Sequence, residues 1–143
     1  MNGNSQGVEQ KATKVLLIDD DHLTRSILRT ILRDDGYHQI REAKDADSGL
    51  TMALHFEPAL IFLDIQMPGK SGLDLLVELK LFLPKARILM VTASNDRHSV
   101  ESSLRGQADG YLIKPFSAGV LLKTLEGVLL KPAKGDASQA PSA

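Results

Sequence analysis

Short strand-like runs alternate with longer amphipathic stretches five times along this chain, and that alternation constrains its fold more than any other feature. Val15–Ile18 is a continuous apolar run stopped by acids, the pattern of a strand buried on both faces. Gln39–Glu42, Ala59–Leu63, Arg87–Val91 and Tyr111–Ile113 read as four further short strands. Between them, apolar residues recur at helical spacing. Leu23, Ile27, Leu28, Ile31 and Leu32 mark a helix from about His22 to Asp35, ended by Gly36. Further helices are predicted over Ala46–His55 behind an Asp45 cap, from Leu73 to near Pro84, over Asn95–Arg105, and over Ala118–Leu130. Such alternation implies a parallel sheet with helices on both faces. Right-handed crossovers then leave few strand orders. The expected fold is α/β: a flavodoxin-like doubly wound sheet of five parallel strands, order 2-1-3-4-5, with five helices.

A length of 143 residues fits one domain. Residues 1–12 are polar and aperiodic, and residues 132–143 have the Pro, Ala and Ser content of a tail or linker. The folded body is therefore expected at 13–131, between two disordered ends. A formal net charge of −1 provides no general attraction to nucleic acid or an anionic membrane. The lack of cysteine excludes disulfides, thiol catalysis and thiolate metal sites. The N-terminus lacks the apolar core of a secretory signal, and no run nears the ~20 residues of a spanning helix. A cytoplasmic protein without direct nucleic-acid or membrane contact is expected. Arg25, Arg29 and Arg33 fall four apart on the first helix and read as a solvated face.

The chemistry lies where the strands stop. The first ends in Asp19-Asp20-Asp21, the third in Asp64, the fourth in Thr92 and the fifth in Lys114. In a parallel sheet these groups emerge on one edge, and the first and third strands flank the switch point. Clustered carboxylates repel one another. A hard divalent cation with oxygen ligands relieves that repulsion, and magnesium characteristically takes one or two carboxylates plus phosphate oxygens. Lys114 adds positive charge, Thr92 adds a hydroxyl, and small Ala93 leaves the approach open. A carboxylate can attack phosphorus to give an acyl phosphate, and phosphoryl transfer needs positioning and charge neutralisation above all. Taken singly, Asp64 would be a turn residue, Thr92 a strand former and Lys114 a solvated lysine, while one of the three acids would cap the first helix. Complementary chemistry at four strand ends favours the joint reading.

Four segments carry a resemblance. VLLIDD (Val15–Asp20), FLDIQMPG (Phe62–Gly69), Val91-Thr92-Ala93 and DGYLIKPF (Asp109–Phe116) resemble the motifs of response-regulator receiver domains from two-component signalling, in the same order and spacing. The resemblance implies that Asp64 is the phosphoacceptor. It implies that Asp19, Asp20, Asp64 and the backbone carbonyl of Gln66 hold magnesium or manganese. Thr92 matches the switch hydroxyl, Tyr111 the switch aromatic, Lys114 the phosphoryl-binding lysine, and Pro115 the proline after a cis peptide. The side chains of Gln66 and Ser94 match positions that tune dephosphorylation.

The implied donor is a sensor histidine kinase or a histidine phosphotransfer protein. The implied output is a downstream protein bound by helix 95–105, strand 110–113 and helix 118–130, where Arg97, His98, Glu101, Arg105 and Lys123 lie. The domain would be a monomer or a phosphorylation-dependent dimer, catalysing only its own phosphorylation and dephosphorylation. No output domain is expected after residue 131, so the chain reads as a stand-alone receiver or as part of a longer regulator. A magnesium phosphatase of the haloacid-dehalogenase type would want a second acid where Gln66 stands. A nucleotide- or flavin-binding module would want a Gly- or Ser/Thr-rich loop where the three acids stand.

Overall fold

A computed structural model describes residues 10–93, 98, 101–102 and 107–135. Its strands are β1 (Lys11–Ile18), β2 (Tyr37–Ala43), β3 (Leu60–Asp64), β4 (Arg87–Thr92) and β5 (Gly110–Ile113). All pair in parallel, in the expected order β2-β1-β3-β4-β5. The described helices are α1 (His22–Asp34), α2 (Ala46–Phe56), α3 (Gly72–Phe82) and a last helix, Ala118–Leu129. The helix expected over Asn95–Arg105 falls largely outside the described residues; His98, Glu101 and Ser102 are helical. No helix among the described residues is long and apolar enough to cross a membrane.

The period of two along each strand divides the apolar residues between two cores. Leu16, Ile18, Ile61, Leu63, Ile88 and Met90 face α2 and α3, meeting Ala53, Leu75, Leu76 and Leu79. Val15, Leu17, Leu60, Phe62, Leu89 and Val91 face α1 and the last helix, meeting Leu28, Leu32, Leu121 and Leu125. A fully buried side chain of this size contributes about 1.5–3 kcal/mol. The doubly covered strands β1, β3 and β4 therefore anchor the sheet, and the polar residues that follow them have fixed positions. Gly49 on α2 approaches β1 so closely that a Cβ there would stand 2.9 Å from Ile18 Cδ1.

Side chains expected from the sequence cap the helices. Asp21 accepts from the Leu23 and Thr24 N–H groups at the head of α1, so one of the three acids is the cap. Asp45 accepts from Ser48 N–H at 2.8 Å at the head of α2. Gly36 ends α1 with φ 104, where a side chain would be strained.

Three expectations need correction. The N-terminal extension does not reach residue 12, because β1 begins at Lys11. There the Lys11 N–H donates to Gly36 O at 2.8 Å, and its ammonium pairs with Asp35 and lies 4.5 Å from the Tyr37 ring centre. The tail does not begin at 132. Arg87 donates twice to Lys131 O, Ala133 is buried, and Lys134 N–H donates to Asp109 Oδ1 at 2.6 Å. The arginines of α1 are not uniformly solvated. Arg33 is exposed, but Arg25 and Arg29 each donate to Glu42 of β2, at 2.8 and 2.7 Å. Sequence distance hid that pairing.

Candidate functional site

Neighbouring strands β1 and β3 run in parallel with Ile18 opposite Leu63. The next residues, Asp19 and Asp64, therefore leave the sheet side by side. Both are buried, and Asp20 is exposed beside them. Ligand-capable oxygens of Asp19, Asp20 and Asp64 all lie within 4.8 Å of one another. On the next strand Asp64 is opposite Val91, so Thr92 stands one step further toward the same edge, fully buried.

Asp19 and Asp64 are held alike. Asp19 Oδ1 accepts from Asp21 N–H at 2.8 Å, and Asp64 Oδ1 accepts from Gln66 N–H at 3.2 Å. The other oxygen of each faces the Lys114 ammonium, which is 3.0 Å from Asp19 Oδ2 and 3.6 Å from Asp64 Oδ2. Lys114 is placed by its own backbone, its N–H donating to Thr92 O at 2.7 Å, and the Lys114–Pro115 peptide is cis. A cleft of about 370 Å³ opens beside Lys114, lined by Thr24, Ile27, Ala93, Pro115 and Phe116.

Electrostatics follow from this crowding. Burial, reinforced by the charge of Asp19, pushes the Asp64 carboxyl from 3.8 up to about 6, against the opposing pull of Lys114 and Gln66 N–H. Burial alone would lower the Lys114 ammonium, but Asp19, Asp64 and Asp21 outweigh it and hold it above the usual lysine value. Three carboxylates against one ammonium leave negative charge in excess. Asp19 Oδ2, buried, accepts no well-aligned hydrogen bond among the described residues. An all-oxygen set with excess charge and a spare buried lone pair fits a hard divalent cation.

A family model for the response regulator receiver domain matches residues 15–126. The chain belongs to that family. This receiver is 31% identical over 118 residues to the chemotaxis protein CheY of Halobacterium salinarum, covering 82% of this chain and 98% of that protein. It is 30% identical to CheY-3 of Vibrio cholerae, covering 86% and 96%. It spans only 58% of a Haemophilus influenzae nitrate/nitrite response regulator homologue, at 34% identity. Among solved structures, the receiver domain of NtrX from Brucella abortus superposes with a TM-score of 0.76 at 34% identity, covering 82% of this chain and 98% of that one. The receiver is thus a signalling phosphoacceptor module of two-component response regulators.

Every residue expected at the receiver's strand edge is found there: Asp19, Asp20, Asp64, Thr92 and Lys114. Tyr111 lies on β5 opposite Met90, half-buried against the core under α2 and α3. Other residues that shape the receiver escaped the sequence reading. A Cβ at Gly72 would stand 1.9 Å from Asp64 O, so only glycine lets α3 start against the β3 terminus. Gly72 N–H also donates to Ile65 O at 2.8 Å. Lys80 of α3 is buried, donating to Ala86 O at 2.8 Å and pairing with Asp109, which also accepts from Ile88 N–H. Burial pulls the Lys80 ammonium below its usual value although Asp109 opposes this. One signal was available: the breadth of α3's apolar face leaves Lys80 beside Leu76 and Leu79, on the core side.

Proposed function

We propose that Asp64 accepts a phosphoryl group from the phosphohistidine of a sensor kinase or a phosphotransfer protein. The observation that carries this is the buried Asp64 carboxylate set against Asp19, Asp20 and the Lys114 ammonium at one strand edge. Asp64 uses an oxygen lone pair to form the O–P bond. The P–N bond breaks, and the imidazole nitrogen keeps its electron pair. Magnesium or manganese, held by Asp19, Asp20, Asp64 and the Gln66 backbone carbonyl, supplies positive charge to the phosphoryl oxygens when bound. Lys114 stabilises the same oxygens. Water attack on phosphorus breaks the O–P bond, releases inorganic phosphate and returns Asp64 to the carboxylate, so the chain's own chemistry is confined to gaining and losing this group.

Thr92 and Tyr111 carry the signal outward in this reading. The Thr92 hydroxyl turns toward the phosphoryl, and Tyr111 moves into the vacated space. The partner face expected over β5, the last helix and residues 95–105, most of which lie outside the described residues, then alters its affinity for a protein partner, in the cytoplasm, as a monomer or a phosphorylation-dependent dimer. Phosphorylation adds about −1.5 to −2 charge and three acceptors, ample to bias a two-state element.

The test is incubation with magnesium and a small acyl-phosphate donor, followed by intact mass. One phosphoryl adduct is expected on wild type and none on Asp64→Asn; an adduct that persists in the variant would refute the acceptor. Thr92→Ala combined with Tyr111→Ala is expected to keep the adduct and lose phosphorylation-dependent partner binding.

A further inference from the structure

We infer that Arg25 is a positioning residue for the cation site, acting through the peptide that joins Asp19 to Asp20. This rests on the metal-site reading above. Arg25 Nη1 donates to Asp19 O at 2.5 Å, while its Nε donates to Glu42 Oε1 at 2.8 Å. Asp19 is the first residue beyond β1. Its N–H still extends the ladder to Ala43 O at 3.1 Å, and its carbonyl is taken by the guanidinium. Both backbone groups of Asp19 are thereby fixed. A peptide is planar, so gripping the Asp19 carbonyl also sets the plane that carries Asp20. One arginine thus orients two successive ligands without touching either carboxylate.

Glu42 in turn aims Arg25. Its carboxylate is shared, Oε1 with Arg25 and Oε2 with Arg29. Arg29 makes the matching grip on Ile40 O at 3.2 Å, inside β2 and away from the acids. The two arginines therefore join α1 to β2 in the same manner, but only Arg25 reaches a residue of the site. That difference separates positioning from simple helix docking.

The experiment titrates magnesium alone, by calorimetry, into the unphosphorylated full chain and its variants, with thermal melting in parallel. Partners that orient metal ligands characteristically change affinity by tenfold or more, so Arg25→Met is expected to weaken magnesium binding about tenfold and Arg29→Met by no more than about twofold. Arg25→Lys, which keeps the charge but has one donor nitrogen where Arg25 uses two, should fall between wild type and Arg25→Met. Should Arg25→Met not fold, Arg25→Lys must still weaken binding more than Arg29→Met. Equal losses in the Arg25 and Arg29 variants would reduce Arg25 to a docking residue, as would an Arg25→Met affinity matching wild type. A wild type that ignores magnesium, or an Asp19→Asn variant that binds it unchanged, would overturn the metal site itself and this inference with it.

Discussion

Asp64 is a group the fold holds in an unfavourable state. Its carboxyl titrates near 6 and not near 3.8, so folding favours the protonated form relative to the unfolded chain. Its contribution to stability is therefore complete below pH 3.8 and is lost as pH rises through about 6. Asp64→Asn is expected to stabilise the domain by about 1–3 kcal/mol at pH 8 in chelator, and by less at pH 5, measured by denaturant unfolding. A destabilised variant at pH 8 would contradict this. Gly72 makes the opposite prediction. With 1.9 Å between a Cβ and Asp64 O, Gly72→Ala must shift backbone, and it should cost about 1–3 kcal/mol. The acids, Thr92 and Lys114 were legible because each stops a strand, and strands in one parallel sheet stop on one edge. Gly72 was not, because its constraint is a backbone approach across a turn, which in sequence looks like any loop glycine.

At the scale of elements, α1 shows how a polar face becomes structural. Arg25, Arg29 and Glu42 form a charge-assisted clamp between a helix and an edge strand, with the Glu42 carboxylate only partly exposed. Burial alone would raise the Glu42 carboxyl, but the two guanidinium groups outweigh it and hold it below 4.5. Its stabilising contribution is accordingly present above 4.5 and lost as pH falls through the depressed value. Glu42→Gln should cost about 1–2 kcal/mol at neutral pH. It should also flatten the decline of stability below pH 4.5, followed by thermal melting across an acid series. Strands and helices were legible from their periods, and Asp45 from its place before an apolar stretch. The clamp was not, because Glu42 is 17 residues from Arg25 and 13 from Arg29. Only the β1–β2 register brings them together.

For the molecule as a whole, the buried pair Lys80–Asp109 ties α3 to the starts of β4 and β5. Removing one partner strands a charge in the interior, so Lys80→Met is expected to cost about 3–5 kcal/mol. The double variant Lys80→Met/Asp109→Asn should lose less than the sum of the singles, a coupling readable from their denaturation midpoints. Strand order was legible, since short crossovers and handedness leave so few choices. The pair was not, because a lysine in an amphipathic helix looks solvated until the sheet beneath it is placed. Asp109 also receives the Lys134 N–H, while Arg87 holds Lys131 O. The path from Lys131 to Gly135 is thus moored at the amino-terminal rim of the sheet, and the acids occupy the carboxyl-terminal rim. A partner or surface that engaged the domain through this moored segment would approach from the rim opposite the acids, leaving their acidic mouth open to whatever delivers the phosphoryl group.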